Sequence, residues 1–379
     1  MDFEPRSIAG RVRRDLDRKI VLISGPRQSG KTTLARALFQ SHDYLNFDSA
    51  RDRIALSRGE WDRKADLLVL DELHKKTRWK TWLKGVFDTE GVRPRLLVTG
   101  SARMDLARRA GDSLAGRFFH HRLHPFDLKE VRQAGREREQ FATLMTCGGF
   151  PEPFLSDSEQ EARRWRRGHL DIVLRQDLLD LEEVRDITAI ETLVQMMRER
   201  TGKSVSYLNL SRDLERDPKT IKRWLDILES LYVLFKVKPY STKIARSLLK
   251  EPRYFFFDNG QVEGDDGVRF ENLVACALLK ELHRIEDQEG RRTALHYLRT
   301  RDKREADFLA VVDGKPALLL EAKWQDDRPS AHFRYFAGLF PKVEKVWLVA
   351  QPVRKRSLPD GTRVCAAPEY LAQLEIPRG

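Results

Sequence analysis

At 379 residues the chain is long enough for two or three domains, each with a core of its own. Hydrophobic residues make up 41% of it, and no apolar stretch approaches the roughly 20 residues that a membrane span needs, so it does not read as a membrane protein. Lysine and arginine total 70 against 58 acidic residues, giving a formal charge of +12 and a pI near 9.6, a balance that favours polyanionic partners such as nucleic acid.

The amino terminus, MDFEPRSIAGRVRRDL, alternates charged and apolar residues without the apolar core of a secretory leader. Cys147, Cys276 and Cys365 lie far apart, with neither metal-ligand spacing nor an even-numbered framework, and read as small core residues of a reducing compartment. Both features predict a cytoplasmic protein.

Next, KIVLISGPRQSGKTTLARALF joins an apolar run, Ile20 to Ile23, to a Gly-rich loop and an amphipathic helix that begins near Lys31. This is the strand–loop–helix context of a phosphate-binding P-loop. Gly25 and Gly30 let the backbone fold closely around an anion, with Pro26, Arg27, Gln28 and Ser29 between them and successive N–H groups facing phosphate. Lys31 is placed to reach the β- and γ-phosphates of ATP and Thr32 to put its hydroxyl on Mg²⁺, with Thr33 following on the helix.

ADLLVLDELHK then sends Leu67 to Leu70 into a buried strand whose C-terminal end carries two acids. Asp71 suits the Mg²⁺ shell, and Glu72 can orient and polarise the attacking water. A third strand, RLLVTGSARMDL, ends in Thr99 and Ser101, which are suited to sensing the γ-phosphate or its water. The trio resembles an AAA+ or related additional-strand P-loop ATPase over roughly residues 15–155. That resemblance implies ATP hydrolysis with Mg²⁺.

The segments SLAGRFFHHRLHPFDLKEV and CGGFPEPF resemble those of a prokaryotic family of AAA+ ATPases fused to an uncharacterised C-terminal domain. In that comparison Arg117 takes the Gly-Arg position, where it is either an arginine that senses or neutralises the γ-phosphate or a surface salt bridge. Arg103, Arg108 and Arg109 compete for the same role. A finger arginine acting in trans implies a homo-oligomer.

Residues 156–202 carry apolar positions at helical spacing among many charges and read as a helical connector or lid. YLNLSRDLERDPKTIKRWLDILESLYVLFKVKPY then reads as a helix, a turn at Asp217–Pro218, and a second helix with Ile221, Leu225, Leu228 and Leu231 on one stripe. Alternation in Val233 to Val237 and in Arg253 to Phe257 suggests a β wing. Together these predict a winged helix over 203–260, with Thr220, Lys222, Arg223, Lys236, Lys238, Lys243 and Arg246 facing a DNA groove or its phosphates. The alternative is a winged helix that packs against protein.

GVRFENLVACALLKELHRI is an amphipathic helix with Glu271 near its start. Asp307 precedes the apolar run Phe308 to Val312, and Glu321-Ala-Lys323 ends the run Ala317 to Leu320. A helical glutamate, an aspartate, and then Glu-x-Lys at a strand end is similar to the PD-(D/E)XK, restriction-endonuclease-like nucleases. The resemblance implies that Asp307 and Glu321 bind Mg²⁺ or Mn²⁺, with Lys323 positioning or activating the water and Glu271 nearby in the catalytic set. Glu305 offers a competing carboxylate on the same strand face.

The expected fold class is therefore α/β: a P-loop AAA+ ATPase core at 1–155, the connector at 156–202, the winged helix at 203–260, and the nuclease-like domain at 261–379. The function expected is a Mg²⁺-dependent ATPase that binds DNA, in which nucleotide state controls domain placement and the C-terminal domain binds or cuts. The alternative is an ATP-driven regulatory switch that works through protein contacts without cleaving DNA.

Overall fold

A computed structural model of the chain describes residues 6–100, 114–132, 134–177, 186–241 and 251–378. Ser101, Arg103, Arg108, Arg109, Lys243 and Arg246 lie outside the described residues. The fold divides into two compact units, Met1–His124 with Ser230–Tyr232, and Pro125–Glu229 with Val233–Gly379.

In the first unit the order is α1 (Ala9–Leu16), β1 (Ile20–Ser24), α2 (Lys31–Ala37), β2 (His42–Asn46), α3 (Ala50–Arg58), β3 (Leu67–Asp71), α4 (Trp79–Glu90), β4 (Arg95–Thr99) and β5 (Phe118–Arg122). The sheet runs β2-β3-β4-β1-β5 with every pairing parallel. β1, β3 and β4 are buried along their whole length, because a parallel sheet is covered on both faces and so needs continuous apolar runs. Alternation divides their side chains between two cores. Val21, Ile23, Val69 and Leu97 pack with Leu16 of α1 and Leu34 of α2, whereas Leu22, Leu70 and Val98 pack with Leu56 of α3 and Leu83 of α4. β4 stands between the strand that enters the P-loop and the strand that ends in Asp71. It is the additional strand that the sequence resemblance called for.

The second unit begins with helices α5 (Leu128–Val131), α6 (Glu137–Cys147), α7 (Pro151–Ser156), α8 (Glu159–Ile172), α9 (Ile187–Arg198), α10 (Tyr207–Asp213) and α11 (Pro218–Ser230). There follow β6 (Leu234–Pro239), β7 (Arg253–Phe256), α12 (Asp266–Glu289), β8 (Thr293–Arg299), β9 (Glu305–Val312), β10 (Lys315–Lys323), α13 (Ala331–Leu339), β11 (Glu344–Val349), β12 (Arg356–Ser357), β13 (Arg363–Ala366) and α14 (Ala367–Leu371). One sheet, ordered β12-β13-β11-β10-β9-β8-β6-β7, takes in all the strands among the described residues of this unit. β8, β9 and β10 are antiparallel neighbours, and β10 pairs in parallel with β11 across the α13 connection. The tight turn between β9 and β10 uses positive φ at both Asp313 and Gly314, the geometry whose twist matches a two-residue hairpin.

The helix–turn–helix of α10 and α11 and the antiparallel pair β6–β7 form where the sequence pattern placed them. The hairpin is not a free wing, however. Lys238 and Pro239 of β6 continue in register with His296 and Tyr297 of β8, so the hairpin is stitched onto the large sheet as its edge.

Candidate functional site

The P-loop is held in shape by backbone geometry that only certain residues allow. Gly25 has φ +144°, and a Cβ there would meet the Leu123 carbonyl oxygen at 2.3 Å, because Leu123 N–H donates to Ser24 O at 2.8 Å and brings the chain after β5 against the loop. Gly30 takes the left-handed conformation just before α2. Ser29 and Pro26 are buried, Arg27 is half-buried, and Gln28 and Thr33 are exposed. Arg6, itself buried, donates to Ser29 O at 2.6 Å and also to His124 O, tying the loop to the chain after β5. Lys31 is buried and donates through Nζ to Gly25 O (3.0 Å) and Pro26 O (2.6 Å), so its ammonium occupies the mouth of the loop.

Four donors converge on the Asp71 carboxylate. Oδ1 accepts from Thr99 Oγ1 (2.5 Å) and Glu72 N (3.1 Å), and Oδ2 accepts from Thr32 Oγ1 (3.0 Å) and Tyr44 OH (2.5 Å). Burial, followed by Asp71 itself, raises the Tyr44 hydroxyl pKa, which keeps it a donor. The set fits Mg²⁺ in kind. Thr32 donates its hydroxyl hydrogen bond to Asp71 and keeps its oxygen lone pairs for a metal, and Asp71 supplies hard carboxylate oxygens. Glu72 follows in left-handed backbone (φ +54°), with Oε2 lacking a hydrogen-bond partner and 3.6 Å from Lys75 Nζ. Burial raises its pKa against the opposing pull of Lys75, a direction suited to a proton acceptor.

Arg117 is not brought to this site. Its carbonyl accepts from Ile20 N at the start of β1, the end of the sheet opposite the P-loop, and its guanidinium pairs with Asp88 of α4 (Nε–Oδ1 2.8 Å). Of the two alternatives for Arg117, the structure has the surface salt bridge, at the end of β5 away from the P-loop of its own chain.

The second unit gathers Glu271, Asp307, Glu321 and Lys323 as the sequence spacing anticipated. β9 and β10 are cross-tied through the acids. Asp307 N donates to Glu321 Oε2 (3.0 Å), and Ala322 N donates to Asp307 Oδ2 (3.1 Å). Lys323, two residues after Glu321 and on the same face, places Nζ 2.8 Å from Glu321 Oε1 and 3.5 Å from Asp307 Oδ2. Although burial alone would lower its pKa, Asp307 and Glu321 raise it and keep the ammonium charged. Burial and the Asp307 charge push Glu321 up to about 7 and Glu271 up to about 8.

A buried arginine that the sequence reading did not single out, Arg253 at the start of β7, enters the same cluster. It contacts Glu305, lies 3.6 Å from Glu271 Oε1 and 3.9 Å from Asp307 Oδ1, and stacks over the Tyr297 ring at 4.5 Å. Glu305 is thus an arginine partner rather than the lead carboxylate. As the side chains stand among the described residues, no three His, Cys, Asp or Glu groups are arranged to hold a metal ion. Asp307 and Glu321 fit Mg²⁺ or Mn²⁺ in donor chemistry, and the cations that face them in this arrangement are Lys323 and Arg253.

The expected DNA-contacting residues are dispersed. Lys222 and Arg223 are exposed on α11, Thr220 is half-buried just before them, and Lys238 is exposed on β6. Lys222 lies 3.5 Å from Asp226. Lys236 is locked by Asp226 (2.7 Å) and Glu229 (2.9 Å), which hold it charged against the opposing effect of burial.

A parallel sheet with an inserted strand, a P-loop, and an aspartate at the end of the partner strand define the class of AAA-type P-loop ATPase domains, and residues 17–132 match the family model described as an AAA domain. Residues 138–263 and 266–370 match two domains of unknown function, DUF8612 and DUF4143. Similar proteins include an uncharacterized protein of Mycobacterium tuberculosis, 28% identical over 327 residues, with 83% of this chain and 73% of the relative covered. An uncharacterized protein of Haemophilus influenzae is 25% identical over 336 residues, covering 77% of this chain and 79% of its own. Among solved structures, a signal-transduction ATPase with numerous domains and a tetratricopeptide repeat sensor, from Pyrococcus horikoshii, matches at 14% identity and a TM-score of 0.22, a slight likeness. That match covers 76% of this chain, which spans half the length of the Pyrococcus chain.

Proposed function

We propose that the chain is a Mg²⁺-dependent ATPase that acts on DNA, with nucleotide turnover in the first unit and a DNA-binding, phosphodiester-directed second unit. The observation that carries the ATPase reading is the convergence on Asp71 of Thr32 from the P-loop helix, Thr99 from the inserted strand and the backbone of Glu72. When bound there, Mg²⁺ would supply charge neutralisation for the phosphates, with Thr32 and Asp71 holding it. Lys31 exchanges the Gly25 and Pro26 carbonyls for phosphate oxygens, and the P-loop N–H groups orient the chain of phosphates. Glu72, made more basic by burial, takes up a proton from the attacking water.

Lys31→Ala is expected to abolish ATP binding. Glu72→Gln is expected to preserve it while lowering turnover by on the order of 10²–10⁴-fold. Both are read by nucleotide binding and phosphate release on the full chain. Undiminished turnover in Glu72→Gln would remove the assignment.

The element order α12-β8-β9-β10-α13-β11, with the aspartate on β9 and Glu-x-Lys on β10, supports the nuclease-like reading of the second unit. A second reading, the ATP-driven regulatory switch that acts through protein contacts, draws on the internal neutralisation of the same carboxylates by Lys323 and Arg253. With Arg117 paired to Asp88 and away from its own P-loop, a finger role for it belongs to a homo-oligomer.

A further inference from the structure

Helix α8 carries the run Arg163-Arg164-Trp165-Arg166-Arg167, and its arginines do two different jobs. Arg166 is buried and fully committed. Its Nε donates to Asp258 Oδ2 (3.0 Å) and its Nη2 to Cys147 O (2.6 Å), and the guanidinium lies where any Cβ on Gly260 would stand. Arg163, Arg164 and Arg167 emerge beside it. With Arg166 as part of the floor and Arg198 of α9 as part of the wall, they line a cleft of about 750 Å³ that lies wholly within the second unit.

Five arginines and two acids line the cleft, and the carboxylates that pair with four of those arginines, Glu159, Glu161, Asp258 and Glu263, are not among its lining residues. The two acids that line it, Asp171 and Glu191, are both engaged by Arg175, at 2.5 Å and 3.4 Å. Among the described residues Arg163 and Arg164 pair with Glu159 and Glu161 on the same exposed helix face, contacts that water screens and a ligand can replace at little cost. Arg167 makes no ion pair among the described residues; Arg198 donates through Nη1 to Gln195 Oε1 (3.1 Å) and through Nη2 to Gln261, lies 3.7 Å from Glu263, and keeps a buried Nε–H without a hydrogen-bond partner. Five arginines thus line a space far larger than one phosphate: Arg166 and Arg198 are held by Asp258 and Glu263, and Arg163, Arg164 and Arg167 stand exposed beside them.

We propose that this cleft binds successive phosphates of a nucleic-acid backbone. The planar fork of arginine matches phosphate oxygens in pairs, and a row of forks over one helical turn suits a row of phosphates. No aromatic side chain lines the cleft among the described residues, so it offers no stacking platform for bases. Contact through the backbone is the mode that remains, and it is indifferent to base sequence. The inference rests on the DNA-binding reading for the identity of the polymer, and it places the contact on α8 rather than on α11.

The test uses the full chain without nucleotide and a short labelled duplex, titrated at several salt concentrations. Arg163→Glu/Arg167→Glu should bind about tenfold or more weakly at low salt, with the slope of log affinity against log salt shallower by about 0.9 for each phosphate that the variant no longer neutralises. Arg163→Lys/Arg167→Lys should retain most of the binding. Both positions are exposed, and an unchanged melting temperature verifies folding; Arg163→Gln/Arg167→Gln replaces the double glutamate should that variant not fold.

Unchanged affinity and slope in a folded double variant, with Lys222→Glu/Arg223→Glu losing binding instead, overturn the cleft while the DNA reading stands. A wild-type chain that binds no duplex defeats that reading and the cleft with it. Displacement of duplex by polyglutamate at equal charge would make this a site for acidic protein. Saturation by tripolyphosphate without competition from duplex would make it a site for a free polyphosphate. Either result overturns the proposal.

Discussion

Glu271 and Glu321 show how a fold sets protonation residue by residue. Burial first, and then the negative charge of Asp307, lift their pKa values from 4.5 to about 8 and about 7. Between pH 4.5 and these values the folded chain holds protons that the unfolded chain has released, so stability is greatest below pH 4.5 with respect to these groups and is lost as pH rises through about 7 to 8. In Glu271→Gln one of the two contributions is gone. Its melting temperature should decline less steeply than that of the wild type between about pH 5 and about pH 8.5, and parallel profiles would mean that Glu271 is ionised throughout. The sequence made these acids visible because Glu321 ends an apolar run and Glu271 stands near the start of an amphipathic helix. Tyr44 and Arg253 were not visible in that way. Tyr44 reaches Asp71 from a neighbouring strand, and Arg253 reaches Glu305 across two intervening elements, so no local spacing announces either.

At the scale of elements, the segments CGGFPEPF and DNG acquire a reason. Gly148 and Gly260 flank the Arg166–Asp258 pair closely, since a Cβ on Gly148 would meet Asp258 Oδ1 at 2.5 Å and one on Gly260 would overlap the Arg166 guanidinium. Asn259 extends the buried network to Asn272 of α12, whose side chain in turn caps the Phe256 backbone. Three elements that are distant in sequence, the end of α6, the middle of α8 and the turn after β7, are thereby pinned to one another. Arg166→Met leaves Asp258 buried without a counter-ion and should cost about 3–5 kcal/mol in denaturant unfolding. Arg166→Met/Asp258→Asn should cost less than Asp258→Asn and Arg166→Met summed. Additive costs would deny the coupling. Helical periodicity marked residues 156–202 as helix, but four arginines in five positions look alike in a sequence, and only the packing of α8 separates the structural Arg166 from its exposed neighbours. The strand pattern likewise gave β6 and β7 correctly, whereas the pairing of β6 with β8 depends on a partner some sixty residues away.

At the scale of the whole molecule, two acidic centres belong to separate units, one beside the P-loop and one on β9 and β10. They should therefore fail independently. Asp307→Asn is expected to remove any Mg²⁺- or Mn²⁺-dependent strand scission while leaving ATP turnover at the wild-type rate, because the polar partners of Asp307 among the described residues, Glu321, Ala322, Lys323 and Arg253, all lie in its own unit. Arg253→Met separates the two readings of that centre. The arginine neutralises Glu271, Glu305 and Asp307 from within the fold, so its removal leaves the carboxylates short of positive charge and should strengthen their affinity for Mn²⁺, seen as a larger metal-dependent rise in melting temperature than in the wild type. If scission increases in parallel, the centre is a metal site held in check by its own arginine. If Arg253→Met gains neither metal affinity nor scission, and duplex, single-stranded and forked DNA leave ATP turnover unchanged at low salt, the carboxylates are a structural ion cluster and the chain works as a switch on other proteins.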